Sequence, residues 1–340
     1  MDPTARRRLG GTDVELPVLG FGGAHLGELY ARVPEPEARA TLEAAWDGGV
    51  RYFDTAPWYG HGLSEHRTGE LLRQHRRDGF LVSTKVGRVY SRPRDPDRFS
   101  GAPWAGGLPF EHRFDYTYDG VMHAYEQSLL RLGLARVDVL LIHDLDAGYH
   151  GEDGVRDRLR ELDQGGGLRA LAELKAAGEI RAFGAGVNDA AMIRRFLDVA
   201  DLDLFLVAMP YTLLDQPALD EAFPLCAERG VGIVIGAPFA SGILASGAVS
   251  GAKYGYAAAP EALLDKVSRI EAACARHGVP LAAAALQFPL HHPLVASVIP
   301  GAVSAEQVRQ NLELTRVVVP ADFWAELKAD GLLRTDAPTA

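Results

Sequence analysis

Apolar residues gather along this chain in short bursts. Between the bursts they recur every third or fourth position over longer stretches. The bursts cover residues 18–22, 50–54, 80–84, 137–143, 180–184, 204–208, 232–236 and 295–299. They are rich in Val, Ile, Leu and Phe and too short for helices, so they predict buried strands. The longer stretches, 35–47, 64–75, 118–132, 168–177, 189–199, 216–228, 260–277 and 305–314, predict amphipathic helices. Strands alternating with helices imply parallel β/α units. Eight such units imply a closed (β/α)8 TIM barrel of the α/β class rather than an open sheet. One domain then spans 1–340, with its core at about 8–332.

Ahead of the first strand, residues 8–16 read as extended chain around a Gly10-Gly11-Thr12-Asp13 turn. This predicts an N-terminal β-hairpin closing the barrel floor. Residues 88–119 are rich in Arg, Pro, Gly and aromatics and read as a long irregular connection. It follows the C-terminal end of a strand, so it is expected over the barrel mouth as the substrate loop. Gly165, Gly166 and Gly167 read as a turn, and the tail from Thr335 is expected to fray.

Bulk properties narrow the function. A 47% hydrophobic content suffices for a large core, and no apolar run reaches the length of a membrane span. A net charge of −10 argues against nucleic acid or an anionic membrane as partner. Cys226 and Cys274 have no metal or redox spacing and read as ordinary helix cysteines. No apolar segment follows the arginines near the N-terminus, so a cytoplasmic location is expected.

In a barrel, chemistry sits where strands run into loops. Asp54 ends the second burst, Lys85 the third and His143 the fourth, with Tyr59 just beyond Asp54. Charges there are poor choices for stability alone, because buried ions must pair or neutralise. Together they suit proton transfer. A phenol titrates near 10, and a nearby ammonium favours its ionised form. Lys85 would tune Tyr59, Asp54 would hold Lys85, and His143 would orient a carbonyl oxygen.

These motifs resemble the aldo-keto reductases. The likeness rests on G-F-G-G from Gly20, D-T-A-x-x-Y-G-x-G-x-S-E from Asp54 to Glu65, S-T-K ending at Lys85, and L-L-I-H-D around His143. It covers the chain from about Leu9 to Leu314. It implies hydride transfer with a nicotinamide cofactor bound extended across the mouth. Tyr59 would be the acid/base, Lys85 and Asp54 its tuning pair, and His143 the orienting group. No metal is implied.

The resemblance also assigns cofactor contacts. Gly22 and Gly23 lie in the first loop, and Asn188 stands where the family binds the carboxamide. Gly236, Ala237, Pro238, Phe239, Ser241, Gly242 and Leu244 match the pyrophosphate loop, whose small residues let backbone N–H groups approach phosphate. Val187 replaces the family's usual Ser, Ala208 its Gln, and Gly236 a stacking aromatic. After the last strand come Gly301, Ala302, Val303, Gln307 and Asn311. Gly301, Val303 and Gln307 occupy positions where many relatives place a cation for the 2′-phosphate of NADP. Without that cation a 2′-phosphate loses strong bonds, so NAD is expected. NADP stays open through Arg309.

Further stretches resemble a sugar-oxidising branch, the L-fucose and D-threo-aldose 1-dehydrogenases, which also includes a pyridoxal 4-dehydrogenase. They are G-L-P-F from Gly107, F-D-Y-T-Y-D-G from Phe114, E-Q-S-L-x-R-L-G from Glu126 and H-D-L-D from His143. The expected substrate is a small sugar or aldehyde, with an aldose oxidised at C1 to its lactone. Candidate substrate contacts are His25, Trp58, Trp104, His112 and Asp144. Three other readings were weighed. A Rossmann dehydrogenase needs a third Gly where His25 stands. A metallohydrolase needs more ligands than Asp54 and His143. A cofactor-binding regulatory subunit would lack turnover. The sequence does not set the oligomeric state.

Overall fold

A computed structural model gives the arrangement of residues 1–255 and 257–339. Its eight parallel strands follow chain order: Phe21–Gly22, Tyr52–Asp54, Leu81–Val86, Val139–His143, Ala182–Val187, Leu204–Ala208, Gly232–Gly236 and Val295–Ile299. Closure comes from parallel bridges Leu19–Val298 and Gly22–Gly301. Gly20 N donates to Val298 O at 2.9 Å and Gly22 N to Pro300 O at 3.0 Å. The first strand is therefore regular only at its end, while its predicted start, 18–20, is tied in by single bonds. The fifth strand begins two residues later than its apolar burst suggests and runs on to Val187.

Side-chain alternation fills the barrel. Tyr52, Leu81, Val139, Leu141, Ala182, Leu204, Leu206, Val234 and Ala296 form the inner cluster. The predicted hairpin pairs Arg6–Arg8 with Glu15–Pro17. Its fully buried Leu9, Val14 and Leu16 complete that cluster from below. At its tip, Gly10 has φ +52°, and a Cβ there would lie 2.5 Å from the Gly230 carbonyl. The turn can press on the seventh strand only as glycine.

Four expectations need correction. The connection 88–119 is not wholly irregular: Arg88–Ser91 and Glu111–Phe114 pair as an antiparallel hairpin. A helix missed in the sequence, Ala147–Gln164, follows the fourth strand and kinks at Gly151. Its apolar stripe is short, Val155, Leu159 and Leu162, and Gly148, Gly151 and Gly154 interrupt the helical pattern ahead of it. The stretch 216–228 splits into a turn at Pro217–Leu219 and a helix at Ala222–Arg229. The tail does not fray through 339, since Ala337 is buried and Arg334 ion-pairs with Asp220 at 2.5 Å. The pattern also missed helices Leu281–Gln287 and Ala321–Ala329. Cys226 and Cys274 are free, buried helix residues, and burial raises their thiols to about 12 and about 11.

Because Leu16 fills the floor with no exposure, Leu16→Ala leaves a cavity that the rigid barrel wall cannot close. The expected loss is about 2–5 kcal/mol in denaturant unfolding. A loss below 1 kcal/mol would mean that the hairpin does not plug the barrel.

Candidate active site

The same alternation that points Tyr52, Leu81, Val139 and Leu141 inward carries Asp54, Ser83, Lys85 and His143 inward two residues later. These four side chains therefore meet above the last apolar layer. Lys85 Nζ donates to Asp54 Oδ2 at 2.7 Å and to the Thr55 carbonyl at 2.8 Å. Ser83 Oγ donates to Asp54 Oδ1 at 2.6 Å, and the Tyr52 hydroxyl lies 3.0 Å from Ser83 Oγ. Lys85 and Asp54 are only 1% and 3% exposed. Such a pair is tolerable only because each partner neutralises the other and hydrogen bonds take up the remaining groups.

Tyr59 is half-buried over this pair. Lys85 Nζ sits 4.5 Å from the centre of its ring. His143 stands edge-on to the Tyr59 ring at 5.8 Å. Burial, then the charges of Lys85 and Arg88, push His143 well below the usual imidazole range, so it is neutral at pH 7. The structure thus brings the four sequence-predicted residues together. The arrangement can hold an oxygen near a phenol with an ammonium behind it.

The glycines and hydroxyls of the long motif hold the Tyr59 loop. A Cβ on Gly27 would lie 2.4 Å from the Tyr59 carbonyl carbon, and one on Gly60 would lie 2.5 Å from the Gly27 carbonyl oxygen. Ser64 Oγ donates to the Gly23 carbonyl at 2.7 Å. Fully buried Glu65 accepts from Thr84 at 2.7 Å and pairs with Arg131 at 2.5 Å. The connection 88–119 packs over this loop. Leu108 N donates to the Gly60 carbonyl at 2.9 Å, and the Trp104 ring is 5.9 Å from that of Tyr59.

Trp58, Trp104 and His112 gather beside Tyr59. The Trp58 ring lies 5.5 Å from Trp104 and 5.0 Å from His112. Asp144 is buried next to His143, with its Oδ1 3.5 Å from His143 Nε2. His25 lies in the turn Gly23–Gly27 that follows the first strand. A Cβ on Gly301 would lie 2.5 Å from its Nδ1, at the seam of the first and last strands. Sequence reasoning also missed Arg88. It is 2% exposed and lies over the rings of Trp58, Phe114 and Tyr149 at 4.7, 4.5 and 5.0 Å. Its place at the head of an apparently irregular stretch gave no signal.

The candidate cofactor segments also converge, because the first, seventh and eighth strands are neighbours. The segment after the seventh strand holds Ala237, Ala240, Ser241 and Gly242 at φ of 49°, 47°, 60° and 97°. Left-handed backbone at non-glycine residues costs about 1–3 kcal/mol each and persists where something needs it. Successive N–H groups in such a turn make a cradle for anions. His25 Nδ1 is buried with no hydrogen-bond partner at the same seam. These features fit a dinucleotide. Ser241 Oγ accepts from Gly255 N at 3.1 Å, and Gln307 Oε1 accepts from Val303 N at 2.9 Å, so both side chains are engaged locally. Asn188 is exposed beyond the fifth strand, and Asn311 is half-buried on helix Ala305–Arg316.

The profile of the aldo/keto reductase family matches residues 18–330. The chain belongs to that family. It is 44% identical over 336 residues to a pyridoxal 4-dehydrogenase of Microbacterium luteolum, covering 96% of this chain and 98% of that protein. It is 42% identical over 325 residues to a D-threo-aldose 1-dehydrogenase of a Pseudomonas species, covering 94% and 95%. The holo form of aldo-keto reductase AKR11C1 from Bacillus halodurans superposes with a TM-score of 0.72 at 25% identity, covering 97% of each chain. The protein is thus an NAD(P)-dependent aldo-keto reductase. No helix among the described residues is long and apolar enough to cross a membrane.

Acid should weaken the fold through the buried imidazoles. Burial lowers His112 and His292 to about 4, and burial with the charges of Lys85 and Arg88 holds His143 well below the usual imidazole range. The unfolded chain binds protons near 6.5 and the folded chain does not, so stability falls as pH drops from 6.5 toward 4. The melting temperature should decline already between pH 7 and 5, before most carboxylates titrate, and decline less in His292→Asn. An unchanged Tm across that interval would contradict the burial of these rings.

Proposed function

We propose that this enzyme oxidises a cyclic hemiacetal, an aldose at C1, to the lactone. The buried Lys85–Asp54 pair beneath Tyr59, beside neutral His143, carries the reading. His143 donates to the substrate's reacting oxygen as a neutral imidazole. Tyr59 takes the C1 hydroxyl proton, assisted by the Lys85 ammonium. Asp54 keeps that ammonium in place. A nicotinamide, when bound, would supply the hydride acceptor for C1. The reverse, reduction of an aldehyde or ketone, uses the same groups with Tyr59 as acid. Sugars such as L-fucose and D-arabinose are the leading candidates, given the similarity to an aldose 1-dehydrogenase. Pyridoxal, which also closes to a hemiacetal, is the second, on the strength of the 44% identity.

NAD is the proposed cofactor. Val303 and Gln307 offer no charge to a 2′-phosphate, and the exposed Arg309 faces Glu306 at 3.7 Å. Gly22 and Gly23, the segment from Gly236 to Leu244, and the segment from Gly301 to Asn311 would line the dinucleotide.

Three outcomes follow. NADH should appear with at least one of L-fucose, D-arabinose, L-xylose or pyridoxal. Turnover of pyridoxal alone would shift the substrate, and silence on all with intact cofactor binding would favour a regulatory role. Tyr59→Phe should lower kcat by about 10²–10⁴ while cofactor still binds; full activity would remove Tyr59 from the mechanism. Val303→Arg should tighten NADP binding on the order of tenfold, about 1.4 kcal/mol. No change would displace Val303 from the adenosine end. Gly301 is unsuited to this test, since any side chain there strikes His25.

A further inference from the structure

Arg88 and Asp144 form a buried charge pair that the proton-transfer groups do not use. Arg88 Nη1 is 2.7 Å from Asp144 Oδ2, and the two side chains are 2% and 4% exposed. That contact occupies Nη1 and Oδ2, while Arg88 Nε and Nη2 are buried with no hydrogen-bond partner among the described residues. Buried charged groups left without hydrogen bonds are costly, and stability alone gives no reason to keep them. The pair is fixed from several sides. Trp58, Phe114 and Tyr149 enclose the guanidinium, and the hairpin partner strand places His112 opposite Tyr90. Asp144 itself is held at φ 52°, a conformation a non-glycine residue adopts only under constraint. Its Oδ1 lies 3.5 Å from Nε2 of His143, the residue assigned above to the reacting oxygen.

We propose that Asp144 is a specificity-determining residue. Its carboxylate accepts a hydrogen bond from the hydroxyl on the carbon next to the one oxidised, and Arg88 is the positioning residue that holds it. His143 Nε2 and Asp144 Oδ1 lie 3.5 Å apart, close enough to meet oxygens carried on neighbouring carbons of one ligand. A carboxylate accepts and cannot donate, so it selects a hydroxyl there over a hydrogen or an ether. Arg88 balances the negative charge, so the site suits a neutral, hydroxylated substrate rather than an anion. Burial raises the Asp144 carboxyl above the usual carboxylate range, and the Arg88 guanidinium opposes that rise. The proposal rests on the reaction assigned under Proposed function, and it names the feature of the substrate that reaction reads.

The test is a ratio of kcat/KM values for paired substrates. With an aldose that the enzyme oxidises and its 2-deoxy counterpart, the parent enzyme should prefer the hydroxylated member by about 10- to 100-fold, the range for a hydrogen bond to a charged group. Asp144→Asn should bring the ratio toward unity. Arg88→Met should do the same and Arg88→Lys should restore much of the preference. The double variant Arg88→Met/Asp144→Asn removes both charges and guards against an unfolded single variant. Equal losses on both substrates, or a parent enzyme indifferent to the hydroxyl, would overturn the proposal. Glyceraldehyde against propanal in the reductive direction applies the same test if no aldose is oxidised. A preference for glyceraldehyde that Asp144→Asn abolishes would keep Asp144 in this role while the aldose reading fails.

Discussion

An ammonium enclosed in a barrel is tenable only if a carboxylate meets it, and the Lys85–Asp54 contact at 2.7 Å is that meeting. Much of the mouth depends on it. Asp54 can reach Lys85 because the second and third strands align Asp54 with Ser83, one pleat below Lys85. The barrel must close tightly for that register to hold, and the floor hairpin must exclude water from below. Ser83 and Tyr52 then extend the pair downward through hydrogen bonds, so the charged site is continuous with the apolar core. Tyr59 rests on the ammonium through a loop that glycines press against Gly27.

The barrel and its four polar strand ends were legible because period-two alternation and burst length are local signals. Asp54, Lys85 and His143 each close an apolar run, which marks them without knowledge of what lies opposite. The family resemblance is shown by the comparison with known proteins. What was not legible depends on distant partners. Arg88 looks like the start of a loop because its strand partner, Phe114, comes many residues later and no tight turn joins them. The helix Ala147–Gln164 escaped because its apolar stripe is confined to Val155, Leu159 and Leu162 and three glycines precede it. The contact of His25 with Gly301 was likewise not legible, because it depends on the closure of the barrel.

Several stretches that suggested a sugar-oxidising branch hold structure as well. Gln127 pairs through its amide with both backbone groups of Tyr90. Arg131 ties Glu65, and the Tyr116 hydroxyl donates to the His143 carbonyl at 2.9 Å. The likeness to the branch therefore includes how the hairpin over the mouth is mounted.

The mounting of that hairpin has an evolutionary consequence. Its two strands leave the barrel side by side, so the chain between them, 92–110, begins and ends within about 5 Å, one strand spacing. Changing the length of a loop whose ends are already joined costs little, about 0.6 kcal/mol for a doubling. The segment can thus be lengthened, shortened or exchanged while the strand ends beneath it keep their registers. The pins at Trp104, Ala105 and Leu108 onto the loops holding Glu28 and Gly60, and those of Phe99 and Gly101 onto His61, would need replacing. Such a barrel can acquire new substrates by drift in one surface module, leaving the hydride chemistry untouched.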